Sequence, residues 1–151
     1  MNQVHYRKPG WFTKHVFNQL VAGLTKLGVS VLGSRVLEVK GRKTGEPRRV
    51  PVNLLMFEGT YYLVSARGTG DWVRNVQAAG ELDLVVGRRR EHYRSEEMID
   101  ADKNPVLRSY LKRWKAEVGV FFDGVDAGSS DSELQAIAAK HPVFRLVPAD
   151  Q

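Results

Sequence analysis

From Ser34 onward the chain breaks into short strand-like runs, the clearest of which alternates apolar and polar residues. That pattern narrows the fold more than any other feature, because a period of two belongs to extended strands whose successive side chains face opposite sides. "RVLEVK" (35–40) sets Leu37 and Val39 against Glu38 and Lys40. "RRVPVNLLMF" (48–57) and "TYYLVSA" (60–66) read as a hairpin around Glu58-Gly59. "LDLVVG" (82–87), "REHYRSEEMI" (90–99) and the closing "PVFRLVP" (142–148) complete six strands. Helical spacing appears in front, between and behind. Residues 11–27 carry Phe12, Val16, Leu20, Leu24 and Leu27 on one stripe, and Asp71 is placed to cap "WVRNVQAA". Asn104-Pro105 opens a helix bearing Leu107, Leu111, Trp114 and Val118, and Ser130 with Glu133 forms a capping box before a last one. Strands and helices do not alternate, so the pattern predicts an α+β fold with a mainly β core. A small closed or half-closed barrel of about six strands would remove exposed edges. The expected organisation is a helical segment over 1–33 and one barrel domain over 34–151, with C-terminal helices packed on it.

Several chemistries are excluded early. The sequence has no cysteine, hence no disulfide or thiolate nucleophile, which fits a reducing cytoplasm. Arg7 and Lys8 precede a stretch broken by Lys14, His15 and Asn18, so no secretory leader is read, and a cytoplasmic location is expected. The stripe at 11–27 packs on the domain or, with Lys14 and Lys26, lies on a membrane surface. There is no phosphate-binding GxxxxGK[ST], no GxGxxG and no HExxH. His5, His15, His92 and His141 lack ligand spacing and read as surface or packing residues, so no metal site is expected. "GVSVLG" around Ser30 is not a nucleophile elbow, and adjacent Glu96 and Glu97 on a strand point apart.

Charge supplies the positive signal. The net +6 comes from the first fifty residues, where ten Lys and Arg face only Glu38 and Glu46. Four of those cations crowd the turn "GRKTGEPRRVPV" (41–52). A solvated hairpin protecting an edge strand is one reading. The other is an anion site, in which glycines let backbone N–H groups converge while Arg and Lys add charge. Pro51 cannot donate to a ladder, so it marks an edge or an exposed ledge on which a flat ring could lie. A second cluster, "SARGTGDWVRNV" (65–76), again sets a basic residue, Arg67, beside glycines at a strand end. On pattern alone an ordinary strand-to-helix connection, with Asp71 as cap and Trp72 in the core, is the preferred reading. Nucleic acid is disfavoured, since no recognition motif appears and residues 51–100 are net acidic.

Together, "GRKTGEPRRVPV" and "SARGTGDWVRNVQAAG" resemble the deazaflavin-dependent nitroreductase family of actinobacteria, relatives of the flavin and pyridoxine-phosphate split β-barrel enzymes. The likeness runs from about Ser34 to Pro148. It implies a split β-barrel that binds coenzyme F(420), a deazaflavin with a phosphate and an acidic polyglutamate tail. On that likeness Arg42, Lys43 and Thr44 hold the phosphate and tail, with Arg48 and Arg49 adding charge. Pro51, Val52 and Asn53 form the ledge under the ring; Ser65, Ala66 and Arg67 line its other side; Trp72 and Asn75 complete the pocket. The implied reaction is hydride transfer from reduced deazaflavin to a hydrophobic ene, quinone or nitro acceptor. Arg67 would stabilise charge on the ring or its phosphate, and Ser65, Tyr110 or water would return the proton. Alternatives are a non-catalytic barrel binding a fatty acid or other lipid carboxylate, and FMN in place of F(420). The loop before Trp72 is shorter than in many relatives, and paired tyrosines near the C-terminal helix have no clear match, with Tyr110, Trp114, Phe121 and Phe122 standing nearest. A monomer or homodimer is expected.

Overall fold

The computed structural model describes residues 34–149, so the stripe at 11–27, Ser30 and the boundary at residue 33 lie outside the described residues. The strands are β1 (Ser34–Lys40), β2 (Pro47–Asn53), β3 (Leu55–Phe57), β4 (Thr60–Val64), β5 (Glu81–Val86), β6 (Arg89–Glu97) and β7 (Val143–Pro148). Helix α1 (Asp71–Ala79) joins β4 to β5, and α2 (Asn104–Val118) and α3 (Asp131–Ile137) lie between β6 and β7.

Seven strands replace the expected six because the run at 48–57 is not one strand. It breaks at Leu54 into β2 and β3. The reason is topological. The hydrogen-bonded order is β2-β1-β5-β6-β7-β4-β3, antiparallel throughout, so β2 and β3 stand at opposite ends of the sheet. Yet a single residue joins them, and one residue spans at most about 3.6 Å. The sheet must therefore curl until its ends meet at Leu54. Among the described residues closure is incomplete: β2 bonds only to β1, while β4 bonds to β3 and β7, so β2 and β4 are neighbours without a ladder. That seam splits the barrel. Pro51 lies in β2, an end strand of the sheet, as its missing N–H requires.

The bend is pinned from outside. The Trp114 indole N–H donates to the Leu54 carbonyl at 3.2 Å, and both residues are buried, so water cannot substitute. Helix α2 is thus attached to the point where the barrel closes.

Two apolar cores result from the period-two pattern. Leu37, Val39, Leu63, Leu82, Leu84, Phe144 and Leu146 fill the barrel, and Val73 and Val76 of α1 plug one end. On the outer face of β3, β4 and β7, residues Leu55, Tyr62, Val64 and Val143 pack against Leu107, Tyr110, Leu111 and Trp114 of α2.

Turn chemistry agrees with the sequence in most places. Glu58 (φ 50°) and Gly59 (φ 80°) both take left-handed conformations, as a two-residue hairpin turn requires. The capping box is formed, with Ser130 accepting from the Glu133 N–H and Glu133 from the Ser130 N–H. Two caps differ from expectation. Asp71 is the first helical residue rather than the cap, since Gly70 precedes it and offers no side chain. Asn104 likewise lies inside α2, and its amide donates to the Asp131 carbonyl, tying α2 to α3. Among the described residues no helix is long and apolar enough to cross a membrane.

Candidate functional site

The basic turn, residues 41–46, folds on itself. The Gly41 N–H donates to the Glu46 carbonyl at 2.8 Å, and the Gly45 N–H to the Gly41 carbonyl at 2.9 Å, with Gly45 at φ 78°. A Cβ on Gly41 would stand 3.1 Å from the Glu46 carbonyl oxygen and 3.2 Å from Nε of Arg48. Glycine there lets Arg48 lie across the turn, where its guanidinium also approaches the Thr44 hydroxyl at 3.4 Å. These two glycine amides are consumed within the turn. The expected convergence of glycine N–H groups on an anion is therefore not what the fold shows; the side chains of Lys43, Thr44 and Arg48 are exposed.

Arg42 links this turn to the second motif. Its backbone N–H and its Nη1 both donate to the buried Asn75 Oδ1, at 3.1 and 2.8 Å. The guanidinium also reaches the Asp71 carbonyl and carboxylate at 3.4 Å each. The two loops separated by some thirty residues thus meet at one end of the barrel.

Strand β2 sorts its predicted residues by face. Arg48, Val50 and Val52 share one side, and Val50 and Val52 pack toward the barrel core. Arg49, Pro51 and Asn53 share the other. Arg49 donates to Glu38 at 2.8 Å in an ionic lattice on the barrel exterior that also contains Arg90, Asp83, His92 and Glu81. Hydrogen bonds from Arg90, and then Arg49, outweigh burial and hold the Glu38 carboxyl below its ordinary range. Arg48 and Arg49, adjacent in sequence, consequently face different surroundings. Asn53 hydrogen-bonds Tyr110 on α2.

The residues after β4 are more internal than their sequence suggests. Ser65 is buried; its N–H donates to the Pro142 carbonyl, its hydroxyl to the Gly68 carbonyl, and His141 Nδ1 lies 2.9 Å from its carbonyl. Ala66 packs at the margin of the helical core. The Arg67 guanidinium lies 4.6 Å over the Phe121 ring. Trp72 is half-buried against Phe144, ring centroids 6.0 Å apart. Tyr110 is 2% exposed, and burial raises its phenol well above the ordinary value. His92 is a surface residue and His141 a packing residue stacked on Phe122, as their isolation in sequence suggested. No cluster of metal-ligating side chains occurs among the described residues.

One feature escaped sequence reasoning. A cavity of about 610 Å³ opens beside the bend, lined by Arg35, Leu54, Leu55, Tyr61, Ser109 and Lys112 among others. Its residues come from β1, the β2–β3 junction, β4 and α2, and only the unexpected break at Leu54 assembles them. A hollow of about 340 Å³ adjoins it, sharing Met56 and Tyr61.

The model of the F(420)H(2)-dependent quinone reductase family matches residues 13–127. The chain belongs to this family. No curated protein sequence matches it significantly. Solved structures show the same fold at low identity. An F(420)-H(2) dependent reductase superposes with TM-score 0.53 at 18% identity, over 76% of this chain and 93% of that one. A structure described as a domain-swapped dimer gives 0.57 at 16%, covering 90% and 96%. A putative pyridoxamine 5'-phosphate oxidase from Listeria innocua gives 0.51 at 13%, covering 87% and 92%. The split-barrel class of the sequence reading and its deazaflavin-dependent family are thereby established.

The residues present fit such a cofactor. Lys43, Thr44 and Arg48 offer exposed cationic and hydroxyl donors, and Arg42 is fixed beside them. Next to that turn runs the seam between β2 and β4, with backbone that no partner strand covers among the described residues. An acidic tail and a flat ring call for that combination.

Proposed function

We propose that this protein is an F(420)H(2)-dependent reductase acting on a quinone, with activated enes and nitro compounds as further acceptors. The observation that carries the reading is the Arg42–Asn75 junction, which joins the two motifs at one barrel end. The bound deazaflavin supplies hydride from its C5 position. The protein supplies placement and charge. Lys43, Thr44 and Arg48 take the phosphate and acidic tail, and Asn75 holds Arg42 at their side. Pro51, Val52 and Asn53 lie further along β2. Their side chains alternate, so a ring resting along the strand's open edge, rather than on one face, touches all three. Ala66 and Arg67 form the opposing wall, where Arg67 faces negative charge on the ring. Trp72 supports the wall from the core.

The proton comes from water. The Ser65 hydroxyl is engaged with Gly68, and the Tyr110 phenol is buried and hard to ionise, so neither is placed to act as the acid. Arg49 is left out of the site because Glu38 holds it on the barrel exterior. The likeness to a domain-swapped dimer supports a homodimer.

Titration with F(420), followed by deazaflavin fluorescence at low and high salt, tests the reading, with FMN as the control. Saturable binding that weakens with salt is expected. Absence of saturation at either salt, or tighter binding of FMN, would overturn it.

A further inference from the structure

The two ends of the barrel are finished differently. The register of β1 on β2 sets the basic turn at one end, beside Lys40 and Pro47, and places Ser34 with Asn53 at the other. At the basic end Val73 and Val76 of α1 enter the core, and the Arg42–Asn75 bonds hold that helix over the opening. Among the described residues no helix fills the opposite end; α2 flanks it, packed on the outer face of the sheet. There the cavity of about 610 Å³ and the hollow of about 340 Å³ adjoin, with Met56 and Tyr61 common to both. Each has apolar side chains in its wall. Leu54, Leu55 and Met56 line the first, and Leu146, Val147 and Pro148 the second. Met56 is 54% exposed.

The chain enters at this same end. Arg35 lines the cavity, and Ser34 before it pairs with Asn53, the neighbour of Leu54. Whatever precedes Ser34 in sequence therefore starts from the cavity's edge. What precedes it is the stripe of Phe12, Val16, Leu20, Leu24 and Leu27, followed by the six residues 28–33, which reach at most about 22 Å. A helix over 11–27 would be about 25 Å long and carry the stripe along roughly four turns. Such a stripe needs an apolar surface to cover. A short tether supplies this one at an effective concentration in the millimolar range, so even weak contacts hold. Residues 11–27 contain no aspartate or glutamate, and Lys14 and Lys26 fall outside the stripe, so the contact is apolar rather than ionic.

We propose that residues 11–27 dock as an amphipathic helix on this mouth of the barrel, with the stripe seated over Leu54, Met56 and Tyr61. One end of the barrel is then covered by α1 and the other by the preceding part of the same chain. The docking is independent of which cofactor the basic turn holds.

The test exploits the absence of cysteine from the full chain. Met56→Cys and Val120→Cys each introduce a single thiol; Val120 lies beyond α2, 75% exposed and outside both hollows. Reaction with dithionitrobenzoate is followed by absorbance. Uncovered, the two thiols should react at similar rates. Docking should slow the Met56→Cys thiol on the order of tenfold, the protection that a millimolar tether gives a contact of about 0.1 mM. Leu20→Asp with Leu24→Asp should remove most of that protection, and the milder Leu20→Ala with Leu24→Ala part of it. Asn18→Asp with Thr25→Asp, on the opposite face of such a helix, should remove none. The Val120→Cys rate should stay constant throughout, and thermal unfolding verifies that the barrel persists. Equal rates for the two thiols in the parental background, protection that survives both leucine pairs, or a rise shared by the Val120→Cys thiol would overturn the proposal. So would protection that disappears on dilution, which means a second copy, or that arises only with vesicles of equal parts phosphatidylglycerol and phosphatidylcholine, which means a lipid surface.

Discussion

Replacing Asn75 by alanine tests the junction on which the functional reading depends. The Asn75 carbonyl oxygen accepts two hydrogen bonds, from the Arg42 backbone N–H at 3.1 Å and from its guanidinium at 2.8 Å. An ordinary bond contributes about 1 kcal/mol and one to a charged donor about 1.5–3 kcal/mol. Partial exposure of Arg42 favours the low end, so Asn75→Ala should cost about 2 kcal/mol. For a chain of this length that lowers Tm by roughly 4–8 °C. Arg42→Ala in the same background separates the contributions. It removes only the side-chain bond, since alanine keeps the backbone N–H, so a double-mutant cycle should return a coupling of about 1 kcal/mol. Asn75→Asp sharpens the reasoning. It preserves the acceptor for both bonds and should keep or raise stability, but it neutralises the charge of Arg42 at the basic turn and should weaken F(420) binding. The readouts are calorimetric unfolding and fluorescence titration. An Asn75→Ala protein with parental Tm, or an Asn75→Asp protein with parental F(420) affinity, would refute the argument.

Other outcomes follow from the same geometry. Arg48→Ala should weaken F(420) by about 1–3 kcal/mol, while Arg49→Ala, whose parent side chain faces Glu38, should leave the titration unchanged; equal losses would show that both reach the cofactor. Trp114→Phe leaves the buried Leu54 carbonyl without its donor and should destabilise by about 2 kcal/mol in urea unfolding, whereas a loss below about 0.5 kcal/mol would detach α2 from barrel closure. His92 is held by hydrogen bonds with Asp83 and then Glu81, which raise its pKa above the ordinary 6.5. Because the folded value is the higher one, this stabilisation is complete below pH 6.5 and fades as pH rises through the folded pKa. Tm measured across that rise should fall less in His92→Gln than in the parent, and parallel profiles would contradict the ionic role of the lattice.

Much of the fold could be read from local pattern. Short apolar runs bounded by turn residues located the strands to within a few residues except at the break between β2 and β3, and Glu58-Gly59 and Ser130 with Glu133 specify their turn and cap by chemistry that acts over four residues or fewer. The two loops of the candidate site were legible for a similar reason. Basic residues beside glycines are conspicuous in any context, and their pairing carried the resemblance to the deazaflavin family. Arg49 was harder, because its likeness to Arg48 conceals that adjacent strand residues face opposite ways. Ser65 and Tyr110 looked reactive by type, but burial and hydrogen bonding govern whether a hydroxyl can move a proton.

Sequence by itself determined the strand-rich class, the turns and the presence of a basic, glycine-flanked loop, all properties set by neighbours along the chain. Tertiary structure alone decided that "VNLLMF" breaks at Leu54, that Arg42 reaches Asn75 and that a cation-rimmed cavity opens beside the bend. These depend on which strands end up adjacent once the sheet curls closed, and that closure brings together residues whose separation in sequence carries no local signal.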